Sequence, residues 1–213
     1  MLFARPGCRL TGHFKDGRIA TPEEPTGDET DIGCVNPFDW PDDQGMFPDF
    51  SYLADSTEGT GWDYDDIMPD FDGVDQYGND FNLYQYYGYV IILDLSAGWC
   101  GPCKTVASRA EGHYQDHRLD GFTVIHAMVD DYSYGGGFSD TFLAEWAEDY
   151  ELTFPVINDP EDAASSGLGG SGVYEGYIPF MVLLDRDMRI DSGYTGATAD
   201  GQAVARAMEL IGE

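Results

Sequence analysis

The sequence predicts an α/β domain, with a central mixed β-sheet flanked by helices, that follows a loop-rich acidic extension. Two short apolar runs rich in β-branched residues, 89–95 and 122–130, alternate with segments of helical spacing, which indicates parallel strands joined by helices. Two more runs, 180–184 and 189–192, are separated by a short turn and predict an antiparallel hairpin. A sheet with both kinds of neighbour is therefore expected.

The individual elements follow from periodicity and turn residues. Tyr89–Leu95 is expected to be a central strand buried on both faces, because it is almost continuously apolar. The other expected elements are a helix from Cys100 to about His117, a strand over Phe122–Asp130, a helix capped by Ser139 and running to about Tyr150, a short strand over Phe154–Ile157, strands over Phe180–Leu184 and Arg189–Ser192, and a closing helix from about Ala199 to Ile211.

Composition limits the classes of partner. The 213-residue chain is 42 % hydrophobic and 14 % aromatic, which suffices for one domain core plus an extension. Its formal net charge is −30, whereas nucleic acids and anionic membranes both bind basic surfaces, so we expect neither as a partner. No apolar run approaches the ~18 residues that span a bilayer. Met1–Ala4 is too short for a signal-peptide core, so we expect an export signal to be absent or already removed.

Residues 1–66 are predicted to be an extension, and residues 67–213 the domain. The extension has no helical or strand period, and its prolines are interspersed with Gly and Asp, which is typical of irregular chain. It is nevertheless rich in aromatic residues, so we expect it to be ordered and to pack on the domain. Because no Lys or Arg occurs between Ile19 and Cys103, this part of the chain should present a negative surface.

The acidic segments are candidate cation binders. Three aspartates lie within residues 63–66, without a recognisable order of ligands. Residues 70–75 imitate the start of a calcium loop, but an EF-hand needs an oxygen ligand at its fifth position and Gly at its sixth, and these are Val74 and Asp75. A hairpin turn is the favoured interpretation of residues 70–75.

Two cysteines, Cys100 and Cys103, stand in the first turn of a predicted helix. A sulfur there lies at the positive end of the helix dipole beside unpaired backbone N–H groups, which favours the thiolate and makes a nucleophile. Cys103 lies on the same helical face and can attack a mixed disulfide on Cys100. Pro102 fits the first turn because its missing N–H breaks no helical bond there, and Gly101 keeps side-chain bulk off the sulfurs. The pattern predicts a redox site.

The motif also carries a family resemblance. Trp99–Lys104, Trp-Cys-Gly-Pro-Cys-Lys, resembles the active-site segment of thioredoxins, and Asp94, six residues before the first cysteine, matches the buried aspartate of that family. Gly176–Phe180 resembles the family's cis-proline loop. The hairpin within residues 68–83 is similar to the start of the redoxin domain in the extracytoplasmic TlpA/ResA-like branch. The chain is thereby identified as a member of the thioredoxin-like superfamily over about residues 67–213.

The resemblance implies a thiol–disulfide oxidoreductase that exchanges electrons with protein substrates outside the cytoplasm and with an upstream redox partner. It implies that Cys100 attacks, that Cys103 resolves the mixed disulfide, and that Asp94, with a raised pKa, exchanges a proton with Cys103. The residues expected to shape the substrate surface are Trp99, Gly101, Pro102, Ile178 and Pro179, with the Ile178–Pro179 bond cis. No cofactor is expected, because the electrons travel in the sulfur pair, and no metal site is expected.

Cys8 and Cys34 are the remaining cysteines. In a reducing compartment they would be free thiols, and in an oxidising one they would pair. We expect a structural Cys8–Cys34 disulfide and hence an extracytoplasmic protein, in the bacterial periplasm, at the cell surface or secreted. The alternative is that Cys8, in Arg-Pro-Gly-Cys, is a lipid-anchor cysteine, although no hydrophobic segment precedes it.

Four further features have both a structural and a functional interpretation. His126 is expected to be a hydrogen-bonded residue of the core. The loop over residues 130–137 is either a substrate lip or a glycine-rich connector. His113 and His117 share a helix face, and we expect them to be solvated rather than to bind metal. Residues 167–172 match the letters GxGxxG but follow no strand, so we interpret them as a loop that leads to the proline motif.

Two other functions compete with disulfide exchange. A peroxiredoxin-like peroxidase would have proline seven residues, and Thr or Ser three residues, before its reactive cysteine, but these positions are Leu93 and Ala97. A non-catalytic extracellular binding or structural protein on a thioredoxin scaffold is favoured only by the aromatic acidic extension. The sequence leaves the direction of electron flow open.

Overall fold

The computed structural model describes residues 47, 49–51, 54, 57–135, 138–139, 141–159 and 167–212. Within them the chain forms a small hairpin, a five-stranded sheet and three α-helices. The hairpin strands are β1 (Asp72–Val74) and β2 (Asp80–Asn82). The strands of the large sheet are β3 (Val90–Ala97), β4 (Phe122–Asp130), β5 (Val156–Asn158), β6 (Phe180–Leu184) and β7 (Ile190–Thr195). The α-helices are α1 (Gly101–His117), α2 (Phe142–Asp149) and α3 (Asp200–Gly212).

The large sheet is mixed, as predicted. Its order is β5-β4-β3-β6-β7, with β3, β4 and β5 parallel and with β6 antiparallel to both β3 and β7. Strand β3 lies at the centre, and all eight of its residues are buried. The strand is almost continuously apolar because a central strand must bury side chains on both faces, as expected.

The two faces of the sheet carry separate cores. Alternate residues of β3 enter each one, because successive side chains of a strand point to opposite faces. Val90 and Ile92 pack with α1, α2 and α3 in one core. Ile91, Leu93 and Leu95 pack in the other core against the N-terminal hairpin segment, whose buried members include Met68, Phe71, Phe81, Leu83 and Tyr86. Helices α1, α2 and α3 thus contribute to the core on one face, whereas Leu168, in a helical turn at residues 167–169, lies in the other core.

The N-terminal hairpin covers the outer edge of β5. Asp75 forms an isolated antiparallel bridge with Ile157, and the backbone N–H of Val74 donates to Oδ1 of Asn158 at 2.8 Å. A bare strand edge invites pairing with other chains, so this contact protects the sheet. Asp75 itself accepts hydrogen bonds from the backbone N–H groups of Tyr77 and Asn79. The calcium-like letters of residues 70–75 are therefore a hairpin, as favoured from sequence.

The second helix begins later than expected. Ser139 was the predicted N-cap, but α2 starts at Phe142, and the N-cap position is Thr141, whose side chain makes no capping hydrogen bond. Ser139 contributes only its carbonyl, which accepts from the backbone N–H of Phe142 at 3.2 Å. The expected cap at Ser139 was wrong, because the helix begins three residues later, at Phe142.

The described part of the predicted extension packs on the domain. Ala54 lies in the core beneath the hairpin, and the ring of Trp62 is so close to Gly167 that a Cβ there would lie 2.2 Å from it. The N–H of Asp65 donates to the carbonyl of Ile190 at 2.9 Å, which ties the segment to β7. Residues 1–46, 48, 52–53 and 55–56 lie outside the described residues, so the division after residue 66 stays a prediction. Over the part of the chain that the structure describes, no helix is both long and apolar enough to span a bilayer.

Candidate active site

Cys100 lies at the N-cap of α1, where the sequence predicts the nucleophile. Its backbone is extended, with φ −79° and ψ 108°, and the helix begins at the next residue. The backbone N–H of Cys103 donates to Sγ of Cys100 at 3.2 Å. The two sulfurs form a disulfide, with a Cα–Cα distance of 5.2 Å. Because that N–H and the helix dipole both face Sγ of Cys100, the reduced site would stabilise negative charge on this sulfur.

The two cysteines differ in exposure. Cys103 is fully buried, whereas Cys100 retains 4 % of its surface, and both pack against Ala97, Val129 and Ile178. An incoming thiolate can therefore reach only the outer sulfur. Cys100 is thus the more accessible of the two sulfurs, and its role as the attacking sulfur stays a prediction.

The proline loop lies beside this sulfur. The Ile178–Pro179 peptide bond is cis, as the resemblance implies. The carbonyl oxygen of Ile178 lies 3.9 Å from Sγ of Cys100, although 78 residues separate them in the chain. Strand β6, which begins at Phe180, pairs with β3 and carries the loop to the N-terminus of α1. The fold thus brings together the two motifs that the sequence singled out.

Trp99 is anchored to the loop that follows β4. Its indole Nε1 donates to Oδ2 of Asp130 at 3.0 Å, and the same oxygen accepts the backbone N–H of Gly135 at 2.6 Å. The ring of Tyr134 lies edge-on to the indole, with 4.9 Å between ring centroids. Trp99 is 38 % exposed and Tyr134 is 82 % exposed. The loop that the sequence suggested as a substrate lip therefore borders the cysteines through Trp99.

Exposed aromatic side chains occur at the residue before Cys100, in the loop after β4 and in the proline loop, and we call this set the aromatic rim. Large rings are normally buried, so a group of exposed ones is a candidate docking surface. Lys104 adds a cation over the ring of Tyr132, 5.6 Å from its centroid. The members of the aromatic rim are Trp99, Tyr132, Tyr134, Phe138 and Tyr177.

The two glycines beside the first cysteine occupy different surroundings. A Cβ on Gly98 would lie 2.7 Å from the ring of Phe142 and 2.8 Å from the carbonyl carbon of Asp131. A Cβ on Gly101 would contact nothing within 4 Å beyond its chain neighbours and its own helix backbone. Close packing thus requires glycine at Gly98, a position that sequence reasoning did not single out. Because this comparison leaves out the neighbouring Cys100, the expected role of Gly101 in keeping side-chain bulk off the sulfurs stays a prediction.

Asp94 is buried in the middle of β3, where only 1 % of its surface is exposed. Desolvation raises its pKa to about 7, and the nearby charge of Asp200 acts in the same direction, while a hydrogen bond from Ser96 opposes the shift. Oγ of Ser96 donates to Oδ2 of Asp94 at 2.6 Å. Asp94 faces α1, since it lines a small cavity together with Val106, which is one turn after Cys103. A carboxyl that titrates near neutral pH is suited to exchange a proton during thiol chemistry.

His126 is the principal site residue that sequence reasoning underestimated. It is fully buried and accepts a hydrogen bond at Nδ1 from Nε1 of Trp146 at 3.3 Å, so the expected core role is confirmed. It is also the direct Cα partner of Asp94 on the adjacent strand, with Nε2 3.6 Å from Oδ2 of Asp94. Burial lowers its pKa to about 3, so the imidazole is neutral. The available signal was position: Asp94 and His126 occupy equivalent places in two neighbouring predicted parallel strands.

The other polar candidates have structural partners. His113 lies 3.4 Å from Asp200, and His117 lies 3.7 Å from Asp120. The two imidazoles therefore contact different carboxylates, whereas the sequence predicted that both would be solvated. Oδ1 of Asp63 accepts the backbone N–H of Gly172 at 2.7 Å, which ties the glycine-rich loop to the acidic cluster. Within the described ranges, no three His, Cys, Asp or Glu side chains are grouped as metal ligands would be. Cys8 and Cys34 lie outside the described residues.

Comparison with known proteins supports the resemblance. A family model described as the AhpC/TSA family matches residues 64–204. The thiol-disulfide oxidoreductase ResA of Geobacillus kaustophilus is 24 % identical over 155 residues, covering 73 % of this chain and 82 % of the relative.

Solved structures share the fold. A secreted thiol-disulfide isomerase from Corynebacterium glutamicum gives a TM-score of 0.59 at 24 % identity, covering 79 % of this chain and 99 % of that one. StoA from Bacillus subtilis gives a TM-score of 0.51 at 19 % identity, and the match covers 64 % of this chain and 94 % of StoA. Since the family model spans well over half of the sequence, the chain belongs to the AhpC/TSA family, as a thioredoxin-like protein related to the ResA thiol-disulfide oxidoreductases.

Proposed function

We propose that the protein is an extracytoplasmic enzyme that exchanges its Cys100–Cys103 disulfide with cysteine pairs of protein substrates. The observation that carries the proposal is the position of Cys100, whose sulfur accepts the N–H of Cys103 at the start of α1 and lies 3.9 Å from the carbonyl of Ile178. A polarised sulfur beside the backbone carbonyl of Ile178 is an arrangement on which an extended thiol-bearing segment can lie.

The exchange has two balanced steps. In the oxidising direction, a substrate thiolate attacks Sγ of Cys100, the Cys100–Cys103 bond breaks, and Cys103 leaves as a thiolate that takes a proton from Asp94. The second substrate thiolate then attacks the substrate sulfur of the mixed disulfide and releases Cys100. The substrate loses two electrons and the protein gains them. The reducing direction is the reverse, and an upstream redox partner returns the sulfur pair to its starting state.

Asp94 is proposed as the group that exchanges this proton. The support is its burial, its raised pKa and its position on the face of β3 that packs on α1. A carboxyl with an ordinary pKa would be ionised throughout the neutral range and could not supply a proton. No dissociable cofactor takes part in the proposed steps, since the electrons remain on sulfur.

The aromatic rim is proposed as the docking surface for substrate. Trp99 and Tyr134 supply large rigid rings, and the exposed backbone of Gly101 and Pro102 leaves the sulfur approachable between the rim and Ile178. Aromatic side chains supply much of the binding energy at protein interfaces for a small loss of conformational entropy. Unfolded or extended segments with cysteines next to apolar residues are the substrates that this surface fits.

The location outside the cytoplasm is proposed from the cysteines and from one relative. The Corynebacterium glutamicum protein is described as secreted, and a Cys8–Cys34 bridge would persist only in an oxidising compartment. A mass measurement after thiol blocking, before and after mild reduction, tests this. We expect one inert bridge and one readily reduced pair. A blocked thiol on Cys8 or Cys34 in the unreduced protein would contradict the proposal, and a lipid mass on Cys8 would establish the anchor alternative. Cation binding by the acidic extension stays a prediction.

Insulin-reduction turnover tests the activity. The parent protein should accelerate dithiothreitol-driven insulin reduction, and Cys100→Ser should lose that acceleration. The double variant Cys8→Ser/Cys34→Ser is the control, because it removes the other two cysteines without touching the CxxC motif. Equal turnover in the parent and in Cys100→Ser would contradict the proposal that the protein is an enzyme acting through Cys100.

Hydrogen peroxide consumption separates disulfide exchange from peroxidase activity. Leu93 and Ala97 occupy the positions where the peroxidase pattern has proline and a hydroxyl residue, and both are buried in β3. We expect no thiol-dependent peroxide consumption above the uncatalysed rate. Efficient turnover of peroxide that depends on Cys100 would favour the peroxidase instead.

A further inference from the structure

The side of the aromatic rim formed by the loop after β4 carries three carboxylates around Tyr132. The Tyr132 hydroxyl donates to Oδ2 of Asp149 at 3.2 Å, and the residue before Tyr132 is Asp131. Burial raises the pKa of Tyr132 to about 12, and the hydrogen bond to Asp149 and the charges of Asp149 and Glu145 act in the same direction. Glu145 and Asp149 are both exposed on α2. This side of the rim therefore presents negative charge to an approaching partner.

The proline loop carries a fourth carboxylate, close to the redox-active sulfur. Glu175 is exposed and lies three residues before Ile178, whose carbonyl oxygen is 3.9 Å from Sγ of Cys100. Three residues of chain span at most roughly 11 Å, so the backbone of Glu175 stays within that distance of Ile178. Tyr177, between them, is 71 % exposed. Because β3 lies between β4 and β6 in the sheet, the two loops place carboxylates on opposite sides of Cys100.

Few cationic side chains balance these carboxylates. Among the described residues, Lys104 is the cation that contacts the rim, with its ammonium 5.6 Å from the centroid of the Tyr132 ring. Within the described residues, none of the four carboxylates forms an ion pair with a lysine or arginine side chain. The arginines there donate to other groups: Arg109 to Asp200, Arg118 to Gln115, Arg186 to the carbonyl of Gly88, Arg189 to the carbonyl of Asp65 and Arg206 to Asp191.

We propose that the aromatic rim and these four carboxylates form a docking surface for basic segments, so that the preferred substrates carry arginine or lysine within a few residues of their reactive cysteine. The inference rests on the proposed function, and it names the substrate class of the same site. An arginine side chain fits both parts of this surface, since its guanidinium stacks on exposed aromatic rings and pairs with carboxylates.

Charge excludes two other occupants of this surface. An acidic segment would meet four uncompensated carboxylates on a chain whose formal net charge is already −30. A second copy of this chain would bring two sets of carboxylates face to face, and like charges opposed across an interface are unfavourable. The exposed rings alone would accept any apolar segment, so the carboxylates are what would make the surface selective. Because such charges act mainly on the encounter of two molecules, the selectivity should appear in the second-order rate constant.

Three peptide disulfides that differ only in charge test this preference. Each has the same internal disulfide and a neighbouring aromatic residue, with Arg, Gln or Glu on both sides. The dithiol form of the protein passes two electrons and two protons to the peptide, whose disulfide becomes two thiols while Cys100 and Cys103 form a disulfide. At about 0.01 M ionic strength, where charges act over roughly 30 Å, we expect the Arg peptide to be reduced at least about tenfold faster than the Glu peptide.

Salt should remove most of the difference. At about 1 M ionic strength, where charges act over roughly 3 Å, the ratio of the two rate constants should fall below about threefold. The Gln peptide corrects for any general effect of salt on the protein. Equal rates for the Arg and Glu peptides at low ionic strength, or faster reduction of the Glu peptide, would overturn the proposal.

Two double variants test whether the preference belongs to the rim. Glu145→Gln/Glu175→Gln removes one charge from each side of the rim and preserves the shape of both side chains. Asp116→Asn/Asp187→Asn is the matched control, because it removes the same charge near the end of α1 and in the β6–β7 turn, at the opposite end of the sheet from the proline loop. We expect the first variant to lower the Arg-to-Glu ratio at least about threefold and the control to change it less than about 1.5-fold. Equal effects would assign the preference to total charge and overturn the proposal.

The proposed function and this inference can fail separately. If all three peptides are reduced equally fast, the function stands and the inference fails. If the parent reduces none of them, the proposed function fails, and docking is measured without chemistry. The disulfide form is then titrated with Arg and Glu peptides in which serine replaces both cysteines, and the indole ¹⁵N–H signal of Trp99 is followed. We expect the Arg peptide to bind at least about tenfold more tightly at low ionic strength. Equal affinities, or a Trp99 signal that neither peptide shifts, would overturn the inference.

Discussion

The indole of Trp99 donates to Oδ2 of Asp130 at 3.0 Å, and this hydrogen bond joins the residue before the reactive cysteine to the end of β4. The same carboxylate oxygen accepts the N–H of Gly135, so a single acceptor holds both the indole and the loop that follows. The backbone of Trp99 donates in addition to the carbonyl of Asp131 at 3.2 Å. The proposed docking surface is thus ordered by contacts between two segments about thirty residues apart, rather than by the CxxC turn alone.

Asp130→Ala is expected to weaken substrate binding. Removal of the carboxylate frees the Trp99 ring and the N–H of Gly135, so the rim loses order, and the Michaelis constant for a protein substrate should rise about fivefold to tenfold. The turnover of a small aromatic disulfide, which needs little docking surface, should change less than about twofold. Steady-state kinetics with both substrates measure the difference. Asp130→Asn keeps one acceptor oxygen and should restore most of the affinity, whereas an unchanged Michaelis constant in Asp130→Ala would contradict this role.

Gly98→Ala is expected to destabilise the protein. The added Cβ would approach Phe142 and the backbone of Asp131, neither of which can move without shifting α2 or the loop. Overpacking of this kind costs about 1–3 kcal/mol. Denaturant unfolding measures the loss.

Gly101→Ala is the matched control for Gly98→Ala. It is the same change three residues later, at a position with open space and helical geometry, so stability should stay the same or rise by up to about 1 kcal/mol. Equal destabilisation by the two substitutions would show that packing at Gly98 is not the cause.

Asp94→Asn is expected to stabilise the protein above neutral pH. Burial raises the pKa of Asp94 from 3.8 to about 7, so the folded protein retains a proton that the unfolded chain has already lost. The stability contributed by the protonated carboxyl is fully present below about pH 4 and is lost as the pH rises to about 7. That shift corresponds to about 4 kcal/mol at pH 8.

Urea unfolding at pH 4 and pH 8 measures this linkage. The Asp94→Asn variant should exceed the parent by several kcal/mol at pH 8 and should show little difference at pH 4. Asp116→Asn, an exposed carboxyl on α1, should leave the pH dependence unchanged. Parallel stability curves for the parent and Asp94→Asn would show that the carboxyl is not buried in its charged form.

The same group predicts a pH profile for activity. When the dithiol form reduces a substrate, the carboxylate of Asp94 accepts the proton of Cys103, so the rate should rise as the pH increases through about 7. In Asp94→Asn, that rise should be absent, and the rate at pH 8 should fall at least about tenfold. Stopped-flow reduction of a peptide disulfide measures both quantities. A profile that keeps the same inflection in the variant would assign it to another group.

Cys103→Ser is expected to trap substrates. The burial of Cys103 and the exposed edge of Cys100 mean that a mixed disulfide forms on Cys100, and without Cys103 nothing within the protein resolves it. Incubation with a disulfide-containing substrate should give a covalent adduct of one substrate per chain, seen by mass spectrometry under non-reducing conditions. Cys100→Ser should give none. An adduct on Cys103 in that variant would reverse the assigned roles.

Several parts of the fold follow from local patterns in the chain. Strand β4 spans the predicted residues 122–130, and α1 begins directly after Cys100 and ends at the predicted His117. The strand was predictable because a buried strand must be apolar along its length. The helix was predictable because the start of a helix favours particular residues, such as proline in the first turn. The start of α2 was predicted too early, since Ser139 accepts a hydrogen bond from Phe142 through its carbonyl rather than through its side chain.

The position of the cysteine pair was likewise predictable from the chain, because both sulfurs and the start of the helix beside them lie within one short segment. The residues that surround the cysteine pair could not be predicted in this way. The pairing of His126 with Asp94, the anchoring of Trp99 by Asp130 and the close packing at Gly98 all join residues far apart in sequence. Such contacts depend on which strands become neighbours and in which register, and register is set by the packing of the whole sheet.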